Sequence, residues 1–184
     1  MTSVMNDNQL YVAIQEGDEE AFSKLFEGYY ENLCNFGLRY SIPSTVAEEL
    51  VSDIFLQLWN NRRTADIKNL RSFLYASTRN KSINWLRSNV RGMALKSEGN
   101  LRQVHAQTSH EHKMIFEEEL SAVQKIIAKM PEQRRIIFLL NRIDGLKYRE
   151  IGEVLGISPF TVQNQMVMAV RFLHEHCPDK KYLR

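Results

Sequence analysis

Residues 145–176 read GLKYREIGEVLGISPFTVQNQMVMAVRFLHEH, and this stretch decides the fold of the C-terminal part of the chain. Two segments with apolar residues at helical spacing flank a break at residues 156–159. The first segment runs from Tyr148 to Leu155, and its apolar residues recur three and four positions apart, as on one face of a helix. The stretch therefore predicts two short helices separated by a sharp turn.

The break contains the residue types that end one helix and begin another. Gly156 is suited to a helix C-terminus, Ser158 to an N-cap, and Pro159 to the first helical position, where its missing N–H is not needed. Two helices joined by such a turn form a helix-turn-helix, whose second helix places its N-terminal residues at base edges in a DNA major groove. A helical hairpin inside a larger core is the alternative. The second helix is predicted to bury Val162, Met166, Ala169, Val170 and Leu173.

The composition favours an all-α protein with one ordinary domain or two small helical domains. The chain has 184 residues with only 8 glycines and 4 prolines, and it shows no long alternating strand pattern. Its two cysteines, Cys34 and Cys177, give no disulfide framework and fit a reducing compartment. No apolar run has the length of a membrane span and no leader opens the chain, so we expect a cytoplasmic protein without membrane insertion.

Charge is segregated along the chain, although the formal net charge is only +2. Residues 16–53 contain nine acidic side chains against two basic ones, whereas residues 62–91 contain eight basic side chains against Asp66 alone. This reversal favours a partner-facing acidic part and a polyanion-facing basic part. Two solvated helix faces are the alternative, but one carboxylate among eight cations leaves few pairs within the helix.

Helical spacing recurs in the N-terminal half. A short helix is predicted over residues 9–15, ended near Gly17. Asp18 then caps a helix over residues 19–30 that continues to Tyr40. The aromatic residues of this helix share one side at the spacing of a single buried stripe, so we assign them to the core rather than to base stacking.

The next helix is predicted over residues 46–60, after a turn and cap at residues 43–45, and it has two contrasting faces. One face is wide and apolar and is predicted to pack inward. The opposite face is acidic and polar but includes one leucine, Leu56. Such a face suits a helical or coiled-coil partner, with Leu56 as the anchor, but on these residues alone a solvated face is slightly favoured. This docking face consists of Glu49, Ser52, Asp53, Leu56, Gln57 and Asn60.

A basic loop over residues 61–68 leads into a helix predicted from Asn69 to Val90. Its inward residues are predicted to be Leu70, Phe73, Leu74, Ser77, Ile83 and Leu86. Cations, amides and aromatic rings interleave on the remaining surface, which suits single-stranded nucleic acid: rings stack on bases, cations hold phosphates and amides read unstacked base edges. A basic helix on an anionic surface is the alternative, but Asn80 and Asn84 would add nothing there. The outward-capable residues are Tyr75, Arg79, Asn80, Lys81, Asn84, Trp85 and Arg87.

Residues 91–113 are rich in Gly, Ser, Asn, Gln and His and are interpreted as an interdomain linker. Neither their histidines nor His174 and His176 belong to a convincing set of metal ligands, so we expect solvated imidazoles and no metal or cofactor. Beyond the linker, helices are predicted over residues 114–130 and 132–144. The second of these is predicted to bury Ile136, Ile137, Leu139, Leu140 and Ile143.

Three passages carry a resemblance to a known family: AEELVSDIFLQLW (47–59), LRSFLYASTRNKSINWLR (70–87) and MPEQRRIIFLLNRIDGLKYREIGEVLGISPFTVQ (130–163). In this order they resemble the extracytoplasmic-function branch of the sigma-70 family, the initiation subunits of bacterial RNA polymerase. The resemblance covers roughly residues 9–176. It implies two small helical domains joined by a flexible linker. Residues 9–90 would be the region 2 helical bundle, and residues 114–177 would be region 4 with its helix-turn-helix.

The resemblance also implies partners and roles. The docking face would grip the clamp coiled coil of the largest polymerase subunit, which tips the choice from a solvated face to a docking one. The segment 61–87 would melt and read the −10 element, with Asn80 as a polar reader. The linker would thread through core RNA polymerase toward the RNA exit path, and an anti-sigma factor is the implied regulator. The candidate −10 residues are Arg62, Arg63, Tyr75, Arg79, Asn80, Lys81, Asn84 and Arg87.

The −35 reader would lie within residues 149–171, where this chain departs from the family. Members usually have basic residues at the positions of Gln163, Gln165 and Met168. Gln and Asn pair well with adenine edges, whereas Arg prefers guanine. We therefore expect weaker phosphate anchoring and a −35 preference that is not directed to guanine. The candidate −35 residues are Arg149, Ser158, Phe160, Thr161, Gln163, Asn164, Gln165 and Arg171.

The sequence favours a monomeric specificity subunit that binds core polymerase and promoter DNA and performs no chemistry of its own. The runner-up is a stand-alone helix-turn-helix regulator, a dimer that binds duplex operators without polymerase. An enzyme has little support, because the sequence contains no phosphate-binding loop, nucleophile elbow or convincing metal set.

Overall fold

The computed structural model describes residues 6–94 and 123–176, which form helices joined by turns and short loops. No strand occurs within these two ranges, so the predicted all-α fold is confirmed. The chain divides into two compact units, Met1–Ala106 and Gln107–Arg184. No helix among the described residues combines the length and the apolar character needed to cross a bilayer.

The first unit contains α1 (Asp7–Glu16), α2 (Glu19–Leu38), α3 (Ser44–Asn60) and α4 (Leu70–Ala94). The predicted boundary between the first two helices is confirmed. Gly17 ends α1 in the left-handed conformation with φ 96°, which glycine adopts without steric penalty. The Asp18 carboxylate then accepts hydrogen bonds from the backbone N–H groups of Glu20 and Ala21 and so caps α2.

Two predicted boundaries in this unit are wrong. The third helix begins at Ser44, two residues before its predicted start, and its N-cap Pro43 makes no side-chain capping bond. The fixed φ of proline at this junction pre-orders the chain for helix entry, so no polar cap is needed. The fourth helix continues to Ala94, four residues beyond the predicted end at Val90, and so includes the first residues of the predicted linker. The rest of the 91–113 linker lies outside the described residues, and the predicted domain boundaries stay a prediction.

The core of the first unit forms where α2, α3 and α4 meet. The predicted aromatic stripe of α2 packs there: the Phe22 ring lies 5.0 Å from that of Trp59, and the Phe36 ring lies 5.1 Å from that of Tyr75. The Tyr29 hydroxyl donates a 2.5 Å hydrogen bond to Asp7 and ties α1 to α2. The fully buried large side chains of this unit are Tyr75, Phe36, Phe55, Ile14, Leu25, Leu33, Ile54, Leu58, Leu70 and Leu74.

The second unit contains a helical stretch over residues 123–128, followed by α5 (Glu132–Arg142), α6 (Tyr148–Leu155) and α7 (Pro159–His176). The predicted helix over 132–144 ends two residues early, and Ile143, predicted to be buried, is 71 % exposed. The chain leaves helical phase there, because Gly145 turns it at φ 67° and the Leu146 N–H bonds back to the Leu140 carbonyl at 2.9 Å. The core of this unit includes Ile136, Ile137, Phe138, Leu140, Ile151, Val154, Val162, Met166, Ala169 and Leu173.

Candidate polymerase- and DNA-binding surfaces

The turn between α6 and α7 has the predicted helix-turn-helix geometry. Gly156 ends α6 in the left-handed conformation with φ 69°. The Ser158 Oγ accepts a 3.0 Å hydrogen bond from the Thr161 N–H and caps α7, which begins at Pro159. The caps and both helix starts were therefore predicted correctly from residue type and position.

Gly152 also shapes this turn, and sequence reasoning missed it. Its carbonyl accepts a 3.0 Å hydrogen bond from the Ile157 N–H. A Cβ at Gly152 would lie 2.7 Å from the Ile157 carbonyl oxygen, closer than real Cβ contacts come. The available signal was a glycine inside a short amphipathic helix, where it costs helix propensity and can have a packing reason. The close approach of the Gly152 and Ile157 backbones therefore leaves no room for a side chain at position 152.

The exposed side of α7 forms a recognition face, made of polar and apolar side chains. Most of the candidate −35 residues are on the surface, and Thr161 is half-buried. Val167 and Met168 are also exposed, although neither was in the predicted set. The exposed residues of the face are Ser158, Phe160, Gln163, Asn164, Val167, Met168 and Arg171.

The two candidate cations near this face are each paired within their own helix. Arg149 lies 3.4 Å from the Glu153 carboxylate, and Arg171 lies 2.8 Å from that of Glu175. Exposed pairs at this spacing are weak, typically about 0.3–0.5 kcal/mol. Neither pair therefore prevents its arginine from exchanging the carboxylate for a phosphate.

Gln165 differs from the other candidate −35 residues because a neighbouring helix holds it. Its side chain is half-buried, and its Oε1 accepts a 3.3 Å hydrogen bond from the Nε of Arg134 in α5. The Nη2 of the same arginine lies 3.4 Å from the Sδ of Met168. Sequence reasoning missed Arg134, since nothing in a helical pattern indicates which residue of another helix it contacts.

All six residues of the docking face are exposed on one side of α3. Leu56 is 58 % exposed and borders a groove of ≈ 390 Å³ between the start of α2 and α3. The groove is lined by Glu19, Phe22, Ser52, Phe55, Leu56 and Trp59. At the other edge of the face, the Asp53 carboxylate pairs with the Lys81 ammonium of α4 at 3.3 Å. An exposed leucine beside an apolar groove and carboxylates is a suitable surface for a helical partner.

The candidate −10 residues divide into those that are exposed and those that bond to other residues of the same unit. Arg63, Asn80, Asn84 and Arg87 are exposed. Arg79, half-buried, donates a 3.2 Å hydrogen bond to the Asn80 Oδ1. Arg62 is held in place: its guanidinium lies 4.1 Å from the centre of the Trp59 ring and donates to the Trp59 carbonyl at 2.7 Å. Together with Lys81, Arg62 is thus engaged inside the unit, and the exposed group is the part directly available to nucleic acid.

Tyr75 is a correction to the predicted −10 set. It was assigned outward, but it is only 2 % exposed and its ring packs against Phe36. Phe73, which was assigned inward, is exposed. Both assignments were wrong because α4 packs against both α2 and α3, so its apolar residues do not form one stripe. A buried ring cannot stack on a base, and Tyr75 is part of the core.

The burial of Tyr75 and the exposure of Phe73 predict losses of stability of different size when each ring is removed. Tyr75→Ala removes a fully buried ring and should lower the free energy of unfolding by about 3–5 kcal/mol. Phe73→Ala should lower it by clearly less, because the Phe73 side chain is 36 % exposed and loses less buried area than Tyr75. Urea denaturation of the two variants measures both values. Equal losses would contradict the assigned burial.

The remaining titratable candidates do not converge on a site. Among residues 6–94 and 123–176 no three His, Cys, Asp or Glu side chains lie close enough to hold a metal ion. His176 stacks on Phe172 at 4.0 Å, and both it and His174 are exposed. Cys34 is a free thiol whose pKa is raised by burial. Cys177 and the linker histidines His105, His110 and His112 lie outside the described residues.

Comparison with known proteins identifies the family of the chain. The family model of sigma-70 region 2 matches residues 25–92, and that of sigma-70 region 4 matches residues 120–173. Two regions in this order define a sigma factor, the class of protein that confers promoter choice on RNA polymerase. The chain belongs to the sigma-70 family, in its extracytoplasmic-function branch, as the sequence resemblance predicted.

Individual relatives are distant but span nearly the whole chain. The ECF RNA polymerase sigma-E factor of Escherichia coli K12 is 25 % identical over 183 residues, 92 % of this chain and 93 % of the relative. Two solved structures share the fold. CnrH, solved with the cytosolic domain of CnrY, has a TM-score of 0.63 at 22 % identity and covers 92 % of this chain and 95 % of its own. The sigma factor RpoE of Bartonella quintana, solved with the anti-sigma factor NepR, has a TM-score of 0.66 at 18 % identity and covers 88 % and 99 %.

Proposed function

We propose that this sigma factor directs core RNA polymerase to promoters by three contacts. The docking face on α3 binds the polymerase clamp, the recognition face on α7 binds the −35 duplex, and exposed residues of α4 capture an unstacked strand at −10. The chain performs no chemistry of its own. Its role is to lower the free energy of one promoter complex relative to all others.

The observation that carries the proposal is the docking face. Six polar, acidic or apolar residues that the family resemblance assigns to polymerase binding are all exposed on one side of α3. A stand-alone regulator, which acts without polymerase, would not need a protein-binding surface with an exposed leucine on α3. The Asp53 and Glu49 carboxylates would meet a basic or polar partner surface, while Leu56 would fill an apolar pocket in it.

At −10, α4 supports strand capture by amides and cations. Asn80 and Asn84 are exposed one turn apart, where each can hydrogen-bond the edge of a base that has left the stack. Arg63 and Arg87 are exposed and can hold phosphates. Opening the duplex loses stacking energy, and contacts made only with the extruded strand offset that loss. Such contacts favour the open promoter over the closed one.

At −35, the recognition face supports a preference that is not directed to guanine. Gln163 and Asn164 are exposed near the N-terminus of α7, and their amides match adenine N6 and N7. We expect selection from a duplex library by the holoenzyme to return adenine at the position read by Gln163, and Gln163→Arg to shift that position to guanine. A guanine-rich wild-type site with a steep salt dependence would contradict this.

Two DNA-reading units on one chain make joint binding cooperative, because the first contact raises the effective concentration of the second. The same division makes inhibition simple, since a protein that covers either unit's surface prevents promoter binding. We therefore propose an anti-sigma factor as a partner of this chain. The co-crystal of RpoE with NepR supports this partner class.

Run-off transcription with core polymerase and a promoter fragment library tests the proposed function. We expect sequence-selective transcripts only when both the chain and core are present, and feeble DNA binding by the chain alone. Stable, sequence-specific duplex binding without core would favour the stand-alone regulator. Absence of any association with core would overturn the proposal.

A further inference from the structure

The recognition face has an exposed aromatic side chain at its N-terminal end. Phe160 is the second residue of α7 and is 69 % exposed. Among the described residues no other aromatic ring packs against it. Asn164 and Val167 follow at four and seven positions, so the three side chains lie along one side of the helix, and Val167 is also exposed. Contact with DNA would remove this apolar surface from water, which is favourable.

The backbone that carries Phe160 is ordered in the free protein. The ring of Pro159, the residue before it, fixes its own φ. The Ser158 Oγ accepts a hydrogen bond from the Thr161 N–H at 3.0 Å and lies 2.8 Å from the Thr161 Oγ1. These contacts close the first turn of α7 on both sides of Phe160. The direction of its Cα–Cβ bond is therefore set, and only side-chain torsions have to be fixed on binding.

A phenyl ring can recognise only one feature of the base edges in the major groove. It has no hydrogen-bond donor or acceptor, so it cannot read the polar groups of adenine, guanine or cytosine. The C5-methyl group of thymine is the apolar group that the four bases present there. Packing of the ring on deoxyribose would also bury it but would carry no direct sequence information.

We infer that Phe160 is a specificity-determining residue that reads the C5-methyl group of a thymine in the −35 element. This inference rests on the proposed −35 role of α7, since the N-terminal residues of a recognition helix are those that contact base edges. It complements the proposed adenine contact of Gln163, one turn further along the helix. Every A·T pair presents adenine N6 and N7 on one strand and the thymine methyl group on the other, so ring and amide both favour A·T pairs.

Replacement of thymine by deoxyuridine tests the inference, because uracil lacks only the methyl group and keeps the O4 acceptor. The −35 element is first selected from a randomised duplex library by holoenzyme reconstituted with the full chain. Each thymine of either strand is then replaced in turn. We expect a position at which the replacement weakens binding of the wild-type holoenzyme about fourfold, the size expected for the loss of one buried methyl group.

Phe160→Ala should remove this dependence, so that the variant holoenzyme binds thymine and deoxyuridine duplexes equally at that position. Ile143→Ala is the matched control. Ile143 is 71 % exposed at the C-cap of α5 and is not part of the recognition face, so its removal should leave the fourfold effect intact. Both variants lose an exposed side chain and should keep the unfolding temperature and the core binding of the native chain.

Each outcome decides the inference. A fourfold effect that persists in Phe160→Ala would assign the methyl group to another residue and overturn it. A selected element without thymine, or without a position sensitive to deoxyuridine, would overturn it while leaving the proposed function in place. Loss of core binding in Phe160→Ala would assign the ring to a protein contact and also overturn it. If the wild-type holoenzyme selects no −35 sequence, the proposed −35 role fails, and the inference fails with it.

Discussion

Leu56→Asp in α3 is expected to weaken binding of the full chain to core RNA polymerase by roughly 30-fold, the effect of losing a hot-spot contact of about 2 kcal/mol. Leu56 is 58 % exposed and contributes little to the core of its own unit. A carboxylate at this position would be desolvated in the pocket that takes the leucine, without a partner. Fluorescence anisotropy titration of the labelled chain with core measures the change.

Val12→Asp is the matched control. Val12 is 55 % exposed on α1, so the same substitution is made at similar exposure in the same unit but away from the docking face. Both variants should unfold within roughly 0.5 kcal/mol of the native chain. Equal loss of core binding in the two variants, or none in Leu56→Asp, would remove the docking role of this face.

A charge exchange separates docking from stability at the edge of the same face. Asp53→Arg breaks the ion pair with Lys81 and places two cations together. Adding Lys81→Glu restores a pair of reversed sign. If the carboxylate on α3 contacts polymerase, the double variant folds normally yet binds core as weakly as the single one. Recovered core binding in the double variant would assign the effect to the fold.

Local sequence rules were sufficient where structure is decided by neighbouring residues. The helix-turn-helix is the strongest case: Gly156, Ser158 and Pro159 each take the predicted position, because capping and proline geometry involve only the adjacent turn. The exposed side of α3 was also predicted residue by residue, since α3 has one apolar side and the six candidate residues lie on the other. The end of α1 at Gly17 and the cap of α2 by Asp18 were predicted correctly for the same reason.

Features that depend on packing against several elements were not predictable from one helix. The predicted orientations of Tyr75 and Phe73 were wrong because α4 contacts both α2 and α3. A helix with two buried faces does not show one apolar stripe in its sequence. Ile143 was predicted to be buried by extending a periodic pattern past the true helix end. The contact of Arg134 with Gln165 joins residues 31 positions apart, and no periodicity indicates such a pair.

Gly152→Val is expected to disrupt the helix-turn-helix and to abolish the −35 footprint of the holoenzyme. The new Cβ would lie 2.7 Å from the Ile157 carbonyl oxygen, and the two methyl groups of valine would add further steric overlap with the turn. Because the obstacle is backbone rather than a flexible side chain, relief requires α6 and α7 to separate. Overpacking of this kind lowers the free energy of unfolding by about 1–3 kcal/mol, and occasionally by more.

Gly28→Val provides the comparison, since Gly28 is also a helical glycine but a Cβ there would meet nothing within 4 Å. Valine has a slightly higher helix propensity than glycine, so this variant should stay within about 0.5 kcal/mol of the native chain. Thermal unfolding of both variants, together with footprinting on a promoter recovered from the run-off library, separates the effects. Gly152→Val should retain core binding, because the docking face lies in the other unit, while losing protection at −35. A native −35 footprint in this variant would show that the turn tolerates the added side chain and that Gly152 does not constrain the recognition helix.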